Sequence, residues 1–288
     1  MRAETSLTLD LPEPQQLSVD DLHLSFKAVR ALNGVSLTVH PDQLVAVIGP
    51  NGAGKTSLLN CISGVYRPQH GSVRFGGHDL LGQRPHGVAQ LGIARTFQNL
   101  ALFTGMSTLD NVLLGCHQRV RAGPVSSALF RGRTRRDELQ AHGVAEEIIE
   151  FLDLQAHRKA VVADLPYGVQ KRIELGRALA LQPRLLMLDE PVAGMNREEV
   201  EDMARYVLDL RLEFGLPVLM IEHNMRFVMD LADHIVVLDF GQPIADGPPA
   251  QVAADPKVVE AYLGESHGSV DAAPGATPAH HSSTDDER

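Results

Sequence analysis

Apolar positions in the first third of the chain fall in short runs with a period of two. Leu22-His23-Leu24-Ser25-Phe26 and Gly34-Val35-Ser36-Leu37-Thr38-Val39 alternate apolar and polar residues, so the stretch from Leu17 to about Val39 predicts antiparallel strands. Gly71–Gly77 predicts another, with turn residues at both ends. Gln43–Ile48 is apolar without alternation and predicts a strand buried on both faces, followed by a helix from about Ser57. The period then changes. Leu109, Val112 and Leu113, and later Val144, Ile148, Ile149 and Leu152, recur at helical spacing, so a helical insert is predicted over about 100–168. A further helix follows over Val169–Leu181. Three continuous apolar strands come next, at Arg184–Leu188, Pro217–Ile221 and His234–Leu238, with helices between them. That alternation predicts a mainly parallel sheet with both faces covered. Gln242–Gly247 predicts a hairpin return and Pro256–Leu263 a short helix. One domain is therefore predicted over 17–265, between a frayed leader (1–16) and a polar, disordered tail (266–288).

Composition narrows this picture. The chain has 288 residues, 44% of them hydrophobic, enough for a sizeable core. There is no apolar run of about 18 residues, so no bilayer span is expected, and no secretory signal pattern at the start. A net charge of −10 argues against a general nucleic-acid binder. Cys61 and Cys116 lie in apolar helical patterns and give neither a disulfide framework nor metal spacing, which points to the cytosol. His280-His281 reads as part of a solvated tail rather than a metal site. Six arginines (Arg119, Arg121, Arg131, Arg133, Arg135, Arg136) read as a solvated loop, with contact to an anionic surface or a membrane partner as the alternative.

The chemistry starts at Gly49-Pro50-Asn51-Gly52-Ala53-Gly54-Lys55-Thr56, which fits G-x-x-x-x-G-K-[ST] between a predicted strand and a helix. Glycines let the backbone curl so that N–H groups face phosphate oxygens, and the helix N-terminus adds positive charge. Lys55 is expected on the β- and γ-phosphates, and the Thr56 hydroxyl on Mg²⁺. Asp189, at the end of an apolar strand, is expected to hold the Mg²⁺ shell through water, and Glu190 to polarise the attacking water. His223 closes the next apolar strand, so in a parallel sheet it should reach the same crevice and hold water and Glu190.

The order of phosphate loop, Gln98, a glycine-containing signature, Asp189-Glu190 and His223 resembles an ATP-binding-cassette (ABC) ATPase over about Leu17 to Glu265. The resemblance implies an α/β P-loop NTPase cassette: a mainly parallel core, an N-terminal antiparallel β-subdomain and a helical subdomain insert. It also implies two cassettes packed head to tail around two ATPs. On this resemblance Phe26 stacks on adenine, Ser57 follows the loop at the nucleotide, and Gln98 senses Mg²⁺ and links core to insert. Leu165-Pro166-Tyr167-Gly168-Val169 stands where the family has Leu-Ser-Gly-Gly-Gln, so Tyr167 and Gly168 would meet the partner's nucleotide without the usual serine, which Pro166 replaces. Asn196 stands where the family carries aspartate in the loop crossing the interface. Gly92–Asn99 with Leu102-Phe103 and Asn111-Val112, the Leu-Pro-Tyr-Gly signature and Glu260–Glu265 are similar to the ATPase subunit of branched-chain or hydrophobic amino-acid importers. That implies transmembrane permease subunits, a second ABC ATPase subunit, indirectly a solute-binding protein, and a peripheral place on the cytoplasmic face of the membrane. The alternatives are a lipid or polysaccharide exporter and a soluble regulatory or nucleic-acid factor.

Overall fold

The computed structural model describes residues 9–98, 100–117 and 131–267. In chain order the elements are β1 (Leu17–Phe26), β2 (Val29–Val39), β3 (Leu44–Ile48), α1 (Lys55–Ile62), β4 (His70–Phe75), β5 (His78–Asp79), α2 (Pro85–Gln90), β6 (Ile93–Arg95), α3 (Thr108–His117), α4 (Arg131–Phe151), α5 (Tyr167–Leu179), β7 (Leu185–Asp189), α6 (Arg197–Phe214), β8 (Val218–Ile221), α7 (Met225–Leu231), β9 (His234–Asp239), β10 (Gln242–Gly247), α8 (Pro249–Ala253) and α9 (Pro256–His267). The alternating N-terminal strands form an antiparallel sheet in the order β2-β1-β4-β5. The apolar strands form a second sheet in the order β10-β9-β3-β8-β7-β6, parallel except for the hairpin partner β10.

Why the central strands carry unbroken apolar runs is visible in how their residues divide. Val45, Val47, Met187, Leu219, Ile221, Val236 and Leu238 face one core with the antiparallel sheet and α1. Their neighbours Leu44, Ala46, Ile48, Leu186, Leu188, Val218, Met220, Ile235 and Val237 face a second core, which the helices fill. A strand between two apolar layers has no solvent side on which to place polar residues. Val112, Ile148, Ile149, Leu152 and Ile173 join α3, α4 and α5 to that second core.

The structure departs from the sequence expectations in several places. Residues 9–16 do not fray: Leu9 is buried, Leu11 packs on the same core, and Gln15 N–H donates to the Arg184 carbonyl at 3.4 Å. Two leucines two residues apart are too short a period to register as a strand, yet they suffice to strap the chain to the core. Helix α2 and strand β6 were not anticipated. β6 has only three residues, too few to show a period, and exists because β7 offers it a parallel edge. α9 runs to His267, beyond the expected end at Leu263. Residues 1–8, Arg119, Arg121 and the tail from 268, with its histidine pair, lie outside the described residues, as do the side chains of Arg131, Arg133, Arg135 and Arg136.

Candidate active site

The crevice forms where β3, β8 and β7 end side by side. β3 leads into the loop 49–54, and Gly54 caps α1 from a left-handed conformation (φ 102°). The loop presses against its neighbours without room for side chains: a Cβ on Gly49 would lie 2.0 Å from the Leu238 carbonyl oxygen, and one on Gly54 2.4 Å from that of Ala31. Gly241 N–H donates to the Ala53 carbonyl at 3.0 Å, pinning the curl to the β9–β10 turn. Lys55 is buried, and its ammonium lies inside the curl, donating to the carbonyls of Gly49 (2.5 Å) and Pro50 (2.8 Å). Asn51, Gly52 and Thr56 are exposed at the mouth, and Ser57 is half-buried. Phe26 ends β1 on the hairpin whose Ala31 abuts the loop. It is 45% exposed and meets Tyr66 edge to face, with centroids 5.0 Å apart.

Asp189 ends β7 and is 2% exposed. Its Oδ2 accepts from Arg95 Nη2 at 2.8 Å, while its buried Oδ1 finds no partner among the described residues. An unpaired buried carboxylate oxygen costs free energy unless something else occupies it. A hard cation fits that oxygen, since Mg²⁺ takes oxygen ligands and keeps several waters. Arg95 was not singled out in sequence. From β6 it also donates to Asn60 Oδ1 (2.8 Å) and Ser63 Oγ (3.1 Å) on and just past α1, so one guanidinium ties β7 to the helix behind the phosphate loop.

Glu190 takes φ 50°, unusual for a long side chain, and its N–H donates to the Ile221 carbonyl at 2.9 Å. Strain of this kind persists where surrounding bonds hold it, often at working sites. Its Oε2 accepts from Gln98 Nε2 at 3.0 Å and lies 3.9 Å from His223 Nδ1. Gln98, Glu190 and His223, far apart in sequence, thus converge as expected. Their arrangement depends on Glu222, just past the end of β8. Its carboxylate is fully buried and accepts the N–H groups of His223 (2.8 Å), Asn224 (2.9 Å) and Val192 (3.3 Å). The signal available was an acid ending an apolar strand.

Tyr167, Gly168 and Asn196 form a second cluster. Pro166 is the N-cap of α5 and supplies no side-chain bond to the first amides of that helix. Tyr167 is partly exposed and lies against the Gly194 turn, and a Cβ on Gly168 would lie 2.2 Å from Glu199 Oε1. Asn196 starts α6 through a reciprocal capping box, accepting Glu199 N–H at 3.1 Å while Glu199 Oε2 accepts its own N–H at 2.9 Å. Its side-chain oxygen is therefore engaged in holding the turn.

Cys61 sits on α1 behind the loop, where burial raises its thiol pKa from 9.0 to about 12. The thiolate fraction at pH 8 then drops about a thousandfold. Iodoacetamide at pH 8 should leave Cys61 unmodified in the native chain and label it in denaturant, as peptide mass spectrometry would read. Rapid native labelling would contradict its burial.

A sequence model of the family described as ABC transporter matches residues 32–193, and one described as branched-chain amino acid ATP-binding cassette transporter matches 242–268. Over 250 residues the chain is 40% identical to the high-affinity branched-chain amino acid transport ATP-binding protein BraF of Pseudomonas aeruginosa, covering 87% of this chain and 98% of that one. The corresponding protein LivG of Escherichia coli K12 is 38% identical over the same shares. Among solved structures, the ADP conformation of an ATP-binding cassette of an ABC transporter superposes with a TM-score of 0.76 at 33% identity, covering 87% of this chain and 99% of the other. A nucleotide-free cassette gives 0.75 at 33% identity, over 86% and 98%.

Proposed function

Since this chain belongs to the ABC transporter family of ATP-binding cassettes, we propose that it hydrolyses ATP to drive an importer of branched-chain or other hydrophobic amino acids. The observation that carries the reading is Glu190 at the end of β7, held by Gln98 and close to His223, one residue beyond a buried carboxylate with an unpaired oxygen. The names of the relatives, and the second family match over the C-terminal segment, support the cargo class.

In this reading the loop amides and Lys55 bind the β- and γ-phosphates, with Lys55 exchanging its two carbonyl partners for phosphate oxygens. Phe26 stacks on the adenine. Thr56, Asp189 and Gln98 would hold Mg²⁺, which would neutralise charge on the phosphates. Glu190 accepts a proton from the attacking water, and His223 orients that water and the γ-phosphate. Gly168, Tyr167 and the first amides of α5 receive the γ-phosphate of a second cassette, and the Asn196 turn lines the interface. Without a serine at Pro166, the helix dipole and backbone N–H groups supply the anion contacts. Closure of the pair moves permease helices docked on the helical subdomain, and hydrolysis reopens it. Among the described residues no helix is long and apolar enough to cross a membrane, which fits a subunit that docks peripherally on a permease at the cytoplasmic face, with a separate protein presenting the solute.

The test is uptake and co-purification. Deleting the gene should abolish high-affinity uptake of radiolabelled leucine, and the tagged chain should bring down two multi-spanning membrane proteins. Unchanged leucine uptake would overturn the cargo. Recovery of ribosomes, nucleic acid or lipid-export components in place of a permease would overturn the importer.

A further inference from the structure

Three side chains on one stripe of α5 grip the segment that carries Gln98. Lys171, Glu174 and Arg177 are spaced three apart, which lines them up along one helix face. Lys171 Nζ donates to the Gln98 carbonyl at 3.3 Å, Glu174 Oε1 accepts the Phe97 N–H at 3.1 Å, and Arg177 Nη1 donates to the Ala101 carbonyl. The three partners, residues 97, 98 and 101, lie within five positions, so one helix face holds a single short segment. Lys171 and Glu174 also pair with each other at 3.5 Å, and they are only 3% and 2% exposed. A buried ion pair is a poor way to gain stability, because apolar side chains of similar volume do as well or better. Burial raises the Glu174 pKa, against the opposing pull of Lys171, so the desolvation cost is felt at this site. What the pair provides that apolar residues would not is a hold on the Phe97 N–H and the Gln98 carbonyl, the two ends of the Phe97-Gln98 backbone. The side chain of that same Gln98 reaches Glu190 at 3.0 Å.

We propose that Lys171, Glu174 and Arg177 are positioning residues for hydrolysis: they tie Gln98 to α5, so that its amide meets Glu190 only while that helix is seated as it is here. The inference rests on Glu190 acting as the base and on the α5 N-terminus, with Tyr167 and Gly168, receiving the second cassette's triphosphate. A pull on that end of the helix is then transmitted through the clamp to Gln98, so the occupancy of one site sets the geometry of the other.

The test is a double-mutant cycle on the full-length chain. Lys171→Met combined with Glu174→Leu removes the pair without stranding a buried charge. It should lower kcat about tenfold while the Kd of a non-hydrolysable ATP analogue stays within about twofold. Added to Gln98→Ala it should lower kcat no further, since the glutamine through which it acts is already gone. Glu174→Gln keeps an oxygen for the Phe97 N–H and should restore part of the rate. Unchanged kcat, or a loss that adds in full to that of Gln98→Ala, would overturn the clamp. Should the combined variant fail to fold, Arg177→Met at the half-buried end of the stripe carries the same cycle, with a loss of about threefold expected and normal turnover refuting it. The outcome is separable from the functional reading, whose catalytic base Glu190→Gln tests and whose cargo and partners uptake and co-purification test.

Discussion

Glu190→Gln lowers kcat by about a hundredfold or more and leaves ATP affinity within about twofold of the wild type. The amide has the volume of the carboxylate and still offers an oxygen to Gln98 Nε2, now at 3.0 Å, so the local geometry survives. The N–H of residue 190 keeps its bond to the Ile221 carbonyl, which holds the left-handed turn whatever the side chain. Only the capacity to take a proton from water is lost. Phosphate release reports kcat, and titration with a fluorescent nucleotide reports binding. Because bound ATP is no longer cleaved, closed pairs should accumulate, visible by light scattering as an ATP-dependent doubling of mass. Normal phosphate release by this variant would remove Glu190 from the chemistry and move the search for the base elsewhere in the crevice.

Gly49→Ala has the second large effect, on the fold and the site together. Gly49 has φ 145°, a region L-residues rarely enter, and its added Cβ would lie 2.0 Å from the Leu238 oxygen and 3.0 Å from the Leu238 carbonyl carbon. The neighbour is backbone on β9, held by β3 on one side and β10 on the other, so it cannot swing away as a side-chain tip would. The loop must shift instead, and with it every amide aimed at phosphate. A loss of roughly 3 kcal/mol or more is expected, which for a domain of this size is a fall in Tm of about 6–12 °C. ATP binding should vanish at concentrations that saturate the wild type. Gly52→Ala is the contrast. No atom lies within 4 Å of its added Cβ, so only its φ of 79° matters and the cost should be about 1 kcal/mol. Equal melting curves for the two variants would mean that the packing of β3 against β9 is not what holds the loop.

Features that depend on neighbours in the chain were legible in the sequence. The phosphate loop is a local device, strand, glycine turn and helix start, so its residue types stand together in the sequence even though β9 and Ala31 press against it in the fold. The buried strands were legible because both faces of the sheet are covered, which leaves unbroken apolar runs. The leader's packing was not legible for the opposite reason: Leu9 and Leu11 join a core built by later segments, and two leucines alone carry no pattern. Strand β6 escaped notice because β7 lends it the pairing that three residues cannot advertise.

The candidate site divides along the same line. Gln98, Asp189, Glu190 and His223 were recognisable because strand ends and a family resemblance pointed to them. Arg95 was not, although its bond to Asp189 orients the carboxylate, because a partner 94 residues away leaves no trace in spacing. Nor did the sequence reveal that Glu222 would gather three amides beneath His223, or that Asn196 would engage its side chain in a cap. By itself the sequence determined the phosphate-binding loop, the alternation of strands and helices, and the residue types able to cleave a phosphoanhydride, since each follows from short-range geometry. The tertiary structure alone decided which of those groups meet, which carboxylate oxygen is left without a partner, and what grips the glutamine, since contacts between distant segments depend on the packing of whole layers.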